Sequence, residues 1–378
     1  MADWLTARET LDRLGLKPQT LYAYASRGRI EAKPDEADSR RSLYRASDVA
    51  RLAERKARGR RDAAIAEDAI AWGEPVLASA LTTVARGRLW YRGRDAAILS
   101  ETAKLEDVAR LLWGCGDARF PPQRSGIPTG SARERMFAAV AARAASSGTV
   151  NVPAPEAVQV DAASLLDLIV DAVAGGPGEG PIHARLAHAW GCDARGADLI
   201  RRALVLMADH ELNASTFAVR VAASTRASLA ACTLAGLATL SGSLHGGMAT
   251  CVRELVTAAR RDGADSAVED RLRLGRALPG FGHPLYPEGD PRARALLAAF
   301  TPPAIYRDLR GAAAATALPN IDFALTALAD AICLPEDAPF AIFATARCTG
   351  WIAHVLEQSR TGRLIRPRAR YVGPAPGA

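Results

Sequence analysis

Apolar residues recur at helical spacing through most of this 378-residue chain. From 131 to 240 the pattern is helical and alanine-rich, broken by a Gly/Pro/Ser loop at 146–155 and by GGPGEGP at 175–181. The run Ala227–Val252 carries no formally charged residue. Its Ala, Ser, Thr and Gly content, and the LSGSLHGG within it, predict a central, fully buried helix rather than a membrane span. Upstream, residues 74–114 predict a short irregular or extended segment and then two helices, with Trp90-Tyr91-Arg92-Gly93 at the turn. The body shows no convincing strand alternation and no internal repeat, so its class is mainly α.

The first sixty residues follow a different plan. Thr6 and Glu9 make a capping box that starts a helix near Ala7, carries Leu11 and Leu14 inward and ends at Gly15. Pro18 starts a second short helix, which Gly28 closes. The stretch AKPDEADSRRSLYRASDVARL then predicts a hairpin or wing bearing Arg40 and Arg41, followed by a third helix. Two short helices joined by a tight turn form a helix-turn-helix pattern. Charge singles out the same region. Of a net +7, residues 1–61 hold +6 (15 Lys+Arg against 9 Asp+Glu), leaving the rest nearly neutral. Such a basic module implies an anionic partner, nucleic acid first. Residues 59–74 predict a charged helical linker.

Composition narrows the class further. Hydrophobic content of 49% with 24% charged residues describes a globular chain. The six cysteines are dispersed without a Cys-x-x-Cys pair, which argues against a zinc site or a disulfide framework and suits a reducing cytoplasm. The N-terminus lacks the apolar core of a signal peptide.

Candidate chemistry gathers in LPGFGHPLYPEGDPRAR, Leu278 to Arg294. Gly280 and Gly282 allow sharp turns and close approach to a ligand, and Pro284 biases His283 away from helical geometry. Asp290-Pro291 reads as a helix start that presents Arg292. Among the other histidines, His183 and His188 lie five apart on one helix and make no metal pair, and His354 reads as packed. His210 breaks an apolar helix together with Asp209, Glu211 and Asn213, so that patch needs partners. His245 sits where a buried helix ends in glycines. Asp322, in the first turn of a helix, is either a dipole-complementing aspartate or a base raised by apolar neighbours. Arg292, Arg347 and Arg366 could clamp a polycarboxylate.

These blocks, in order YRGRD…LEDVARLLW, ADHELNASTFAVRVAAST, SGSLHGGM, LPGFGHPLYPEGDPRA, PNIDF and ARCTGWIAHVLEQ…RLIRPRARYVG, resemble the citrate synthase family over roughly residues 75–373. The resemblance implies a helical body, with a large domain at 75–248 and 351–378 and a small domain at 249–350. It also implies condensation of acetyl-CoA with oxaloacetate by a cytoplasmic homodimer, without a metal or other cofactor. By the same resemblance His210, Arg292, Arg347 and Arg366 bind the keto acid, with Arg366 reaching across the dimer interface. His245, Asp322 and His283 are the catalytic residues, and Leu278, Pro279, Gly280, Phe281 and Gly282 face CoA. Only 27 residues separate Arg292 from Asn320, fewer than the family usually has, and Pro284 stands where many bacterial relatives have Arg.

Roughly residues 4–55 resemble the winged helix-turn-helix of the MerR and excisionase families, which implies a domain at 1–58. That implies duplex DNA contacts through Gln19, Thr20 and Tyr22, with Arg27, Arg40 and Arg41 facing phosphate. Two alternatives stay open: a metabolite-sensing transcriptional regulator, and a 2-methylcitrate synthase using propionyl-CoA.

Overall fold

The computed structural model describes residues 4–15, 20–21, 24–25, 30–35, 38, 41–53, 77–115, 126, 128–147, 155–369 and 371–374. The chain divides into two compact units, Met1–Ala78 and Ser79–Ala378. The expected linker at 59–74 lies outside the described residues, as do Gln19, Tyr22, Arg27 and Arg40.

In the first unit, β1 (Trp4–Thr6), β2 (Ala32–Pro34) and β3 (Ser42–Arg45) form an antiparallel sheet in the order β1-β3-β2. Helix α1 (Ala7–Leu14) starts on the expected Thr6–Glu9 capping box and ends at Gly15 with φ 53°. Thr20, Leu21, Tyr24 and Ala25 are helical, and so is the stretch 46–53. Leu5, Leu14, Leu21, Ile30, Tyr44 and Val49 make a separate small core. Arg41 is exposed and paired with Asp38 at 3.2 Å.

The second unit opens with strands that the apolar pattern did not predict. β4 (Thr82–Ala85), β5 (Arg88–Tyr91) and β6 (Arg94–Asp95) form an antiparallel meander. Its two-residue turns are Arg86-Gly87 and Arg92-Gly93, all four with positive φ, as a type I′ hairpin turn requires. Trp90 and Tyr91, expected at a turn, therefore lie in β5.

Helices follow: α2 (Ala96–Thr102), α3 (Leu105–Trp113), α4 (Ala132–Ser146), α5 (Pro155–Ala174), α6 (Ile182–Ala189) and α7 (Ala194–Leu206). The uncharged run forms two helices, not one. α8 (Ala214–Ser224) precedes α9 (Leu229–Leu240), and turns at 241–247 separate α9 from α10 (Met248–Asp262). The glycines at 242, 246 and 247 interrupt the helix, and Leu244 is 95% exposed within the break. α9 is only partly buried. Gly236 explains its close seat, since a Cβ there would lie 2.7 Å from Val219 and 2.8 Å from Trp351.

The chain continues through α11 (Ala264–Arg273), α12 (Pro291–Leu297), α13 (Ala304–Ala313), α14 (Ile321–Ala331) and α15 (Ala338–Thr361). α15 is buried along most of its length and touches α3, α7, α8 and α9. The boundary expected at 350/351 falls inside this unbroken helix. Among the described residues, no helix is long and apolar enough to cross a membrane.

Candidate active site

The glycines of the 278–294 segment serve a fixed geometry rather than a loose loop. Gly280 (φ 83°) and Gly282 (φ 72°) turn the chain so that it lies against residues 318–320. Gly282 N donates to Leu318 O at 2.8 Å, Asn320 N to Gly280 O at 2.8 Å, and Phe281 bridges to Pro319. Asn320 then caps α14, its Oδ1 accepting from Asp322 N (3.0 Å) and Phe323 N (3.4 Å), while its Nδ2 donates to Gly282 O. His283 and Asp322 thus sit at adjoining ends of one small clasp. Leu278, Pro279, Gly280 and Phe281 are buried, with Leu278 and Phe281 in the core and the Phe281 ring 4.9 Å from that of Phe323.

Asp290 performs a second join. It caps α12 with Pro291 at the expected position, holds Arg292 through Nε (3.0 Å) and Nη2 (2.8 Å), and accepts from Ile321 N at 3.0 Å. Arg292 is nearly fully buried, its guanidinium carbon 5.5 Å from the Tyr286 ring centre. Burial alone would lower its pKa, but the Asp290 carboxylate outweighs that and raises it.

Three of the six histidines enter the same site. His210 Nε2 lies 2.9 Å from Tyr286 OH, and the His210 and His283 rings are 5.2 Å apart, edge to face. His283 Nδ1 accepts from Leu285 N at 3.2 Å, so its neutral ring carries the proton on Nε2. His245 Nε2 is 2.8 Å from Ser215 Oγ, which bonds Asn213 Oδ1 and accepts from Trp351 Nε1. Burial, with nearby Arg347 or Arg292, depresses His245 and His283 to about 4 and His210 well below its ordinary value. All three are neutral imidazoles at pH 7.

Arg347 is buried beside them. Its Nε donates to Met207 O at 3.1 Å, its guanidinium carbon lies 4.9 Å from the Phe343 ring centre, and its Nη2 has no partner. Burial lowers its pKa to about 10, still well above neutral. Asp322 is half-buried, and burial raises its carboxyl to about 6 despite the charges of Arg292 and Arg347. Two buried guanidiniums, neutral imidazoles and one reluctant carboxylate suit an anionic substrate and proton abstraction from carbon.

Arg366 is exposed in the coil after α15 and does not join this cluster within one chain. Thr20, helical and half-buried, belongs to the other unit. The sequence reading missed Tyr286, Asp290, Ser215 and Phe343. Tyr286 and Asp290 lay within the singled-out segment, but their partners, His210 and Ile321, are distant in sequence. Among the described residues, no group of three or more His, Cys, Asp or Glu could hold a metal ion.

Comparison with known proteins supplies the family. The family model "Citrate synthase, C-terminal domain" matches residues 171–368. The chain belongs to the citrate synthase family. It is similar to citrate synthase of Haloferax volcanii, 39% identical over 192 residues, covering 47% of this chain and 50% of that relative. It is also similar to 2-methylcitrate synthase of Shewanella oneidensis, 35% identical over 190 residues, with 46% and 50% covered. The chain spans about half the length of the curated relatives it matches. In three dimensions it is similar to the citrate synthase of Thermoplasma acidophilum solved as a ternary complex with carboxymethyl coenzyme A and oxaloacetate. The TM-score there is 0.66, with 26% identity, 80% of this chain and 94% of that one covered.

Proposed function

We propose that the protein is a citrate synthase, condensing acetyl-CoA with oxaloacetate and hydrolysing the product thioester to citrate and CoA. The observation that carries this reading is the convergence of Asp322, His245, His283, His210, Arg292 and Arg347. In this reading Arg347, with its unpartnered Nη2, and Arg292 clamp the carboxylates of the keto acid, which rests beside His210. A thioester methyl group is a weak carbon acid, so its proton must leave as the charge on oxygen is stabilised. Asp322, raised toward neutrality, takes that proton while His245, its Nε2 accepting from Ser215 Oγ once that hydroxyl turns from Asn213, donates Nδ1–H to the thioester oxygen. The enol carbon attacks the keto carbonyl, and His283 Nε2–H donates to the developing alkoxide. Water then cleaves the citryl thioester. CoA lies along the backbone of 278–282, and a second copy supplies Arg366.

Release of thiol from acetyl-CoA, dependent on oxaloacetate, tests the reading directly. Folded protein that releases none with acetyl-CoA or propionyl-CoA would sink it. Faster release with propionyl-CoA would favour a 2-methylcitrate synthase, the activity named for the Shewanella relative.

A second reading adds regulation: residues 1–58 bind duplex DNA as a winged helix-turn-helix. The charge of residues 1–61 and the β2–β3 hairpin with exposed Arg41 support it. Binding of the full chain to genomic duplexes should weaken steeply as salt rises. Absence of binding at low salt would exclude it.

A further inference from the structure

Asp209, directly before His210, is a fully buried carboxylate to which the mechanism assigns no task. Its surroundings are built by one stripe of α15. Arg347, Gly350 and His354 are spaced three and four residues apart and so share a helix face. Each grips one of three successive residues. Arg347 Nε donates to Met207 O at 3.1 Å, Gly350 N to Ala208 O at 3.0 Å, and His354 Nε2 to Asp209 Oδ2 at 3.1 Å. A side chain at 350 would collide with Asp209 Oδ1 and Ala208 O, so only glycine permits this approach.

The other side of the segment is held by β4. Thr82 Oγ1 donates to Asp209 Oδ2, and Val84 N donates to the Glu211 carboxylate. His210 therefore stands between two residues that are each tied down, with Glu211 in the left-handed region at φ 50°. The Asp209 charge also favours ionised Arg347, against repulsion from Arg292. A buried carboxylate–imidazole pair seldom adds stability over apolar groups of the same shape, so stability alone does not account for it.

We propose that His354, acting through Asp209 and Thr82, is a positioning residue that fixes the spacing of Arg347 and His210, and with it the fit of the keto acid. The proposal rests on the keto-acid reading above. His354 touches no reactant. It holds the 207–209 backbone against the helix that carries Arg347, so its loss loosens the oxaloacetate site and leaves the thioester site unaltered.

Steady-state kinetics of the full chain test this with three variants. His354→Leu removes the donor at similar volume, His354→Gln returns an N–H near the Nε2 position, and Trp113→Phe is a control. Trp113 Nε1 also donates to α15, at Thr349 O (2.9 Å). His354→Leu is expected to raise the oxaloacetate KM by ~10-fold or more with little change in the acetyl-CoA KM. His354→Gln should restore it to within about twofold, and Trp113→Phe should leave it unaltered. If His354→Leu does not fold, Thr82→Val takes its place, with a smaller rise in the same KM. Equal losses toward both substrates, failure of Gln to rescue, or a wild-type oxaloacetate KM in the folded donor-deleted variant overturns the proposal alone. Wild-type protein without oxaloacetate-dependent thiol release overturns the reading beneath it and the proposal together.

Discussion

Asp322 occupies a helix position where an aspartate is ordinary, and the sequence left two readings of it. The structure weighs them. A helix N-terminus and two nearby guanidiniums would all depress a carboxyl, yet burial raises this one to about 6. The protonated acid is therefore what the fold favours. Its stabilising contribution is fully present below the ordinary carboxylate value and is lost as pH rises through about 6. Above that pH the ionised group costs about 3 kcal/mol. Asp322→Asn mimics the protonated acid, so it should resist denaturant better than wild type at pH 8, with the gap closing near pH 4. As the proposed base, Asp322 should also make kcat/KM rise with pH through about 6, and the Asn variant should lose ~10²–10⁴-fold in turnover. Near-normal turnover, or an Asn variant no more stable at pH 8, would count against the assignment.

Between elements, the clasp of 278–283 on 318–320 separates two glycines that look equivalent in the sequence. Both have positive φ, which costs a non-glycine residue about 1 kcal/mol. At Gly280 an added Cβ would also lie 2.8 Å from Val252 and 3.0 Å from Phe323, whereas at Gly282 the nearest atom is Ala317 Cβ at 3.8 Å. Gly280→Ala therefore adds overpacking of roughly 1–3 kcal/mol to the backbone strain. It also pushes against the residue next to Asp322, so it should lower both melting temperature and kcat/KM well below the Gly282→Ala values. Equal effects of the two substitutions would refute the clasp. The same elements show what was legible. His210, His245, His283 and Asp322 each broke a local pattern, and Arg292 followed a readable helix start. Strands β4–β6 were not legible, because they are four residues or fewer and turn on Arg-Gly instead of the Asn-Gly or Asp-Gly that announces a hairpin. Asp290 on Ile321, Tyr286 on His210 and His354 on Asp209 were not legible either. These contacts join segments 31, 76 and 145 residues apart, and no single-chain periodicity encodes them.

At the scale of the molecule, each unit holds its own apolar core, one within residues 5–53 and the other within 81–355. The clustered histidines, arginines and Asp322 lie wholly in the second unit. Arg366 is exposed on the C-terminal coil, while Arg292 and Arg347 are buried. If Arg366 serves the site of a second copy, two inactive variants should repair one another. His283→Ala removes a catalytic residue from a protomer's own site, and Arg366→Ala removes the clamp from its partner's. In a mixed dimer one site then carries both lesions and the other carries neither. After equal mixing and subunit exchange, half the dimers are mixed and half their sites intact, so activity should return to about a quarter of wild type. Arg366 acting within its own chain gives a different result, since each mixed dimer then carries one lesion in each site and no activity returns. Recovery of both variants together through a tag carried by only one of them shows that mixed dimers have formed, and makes that negative outcome decisive.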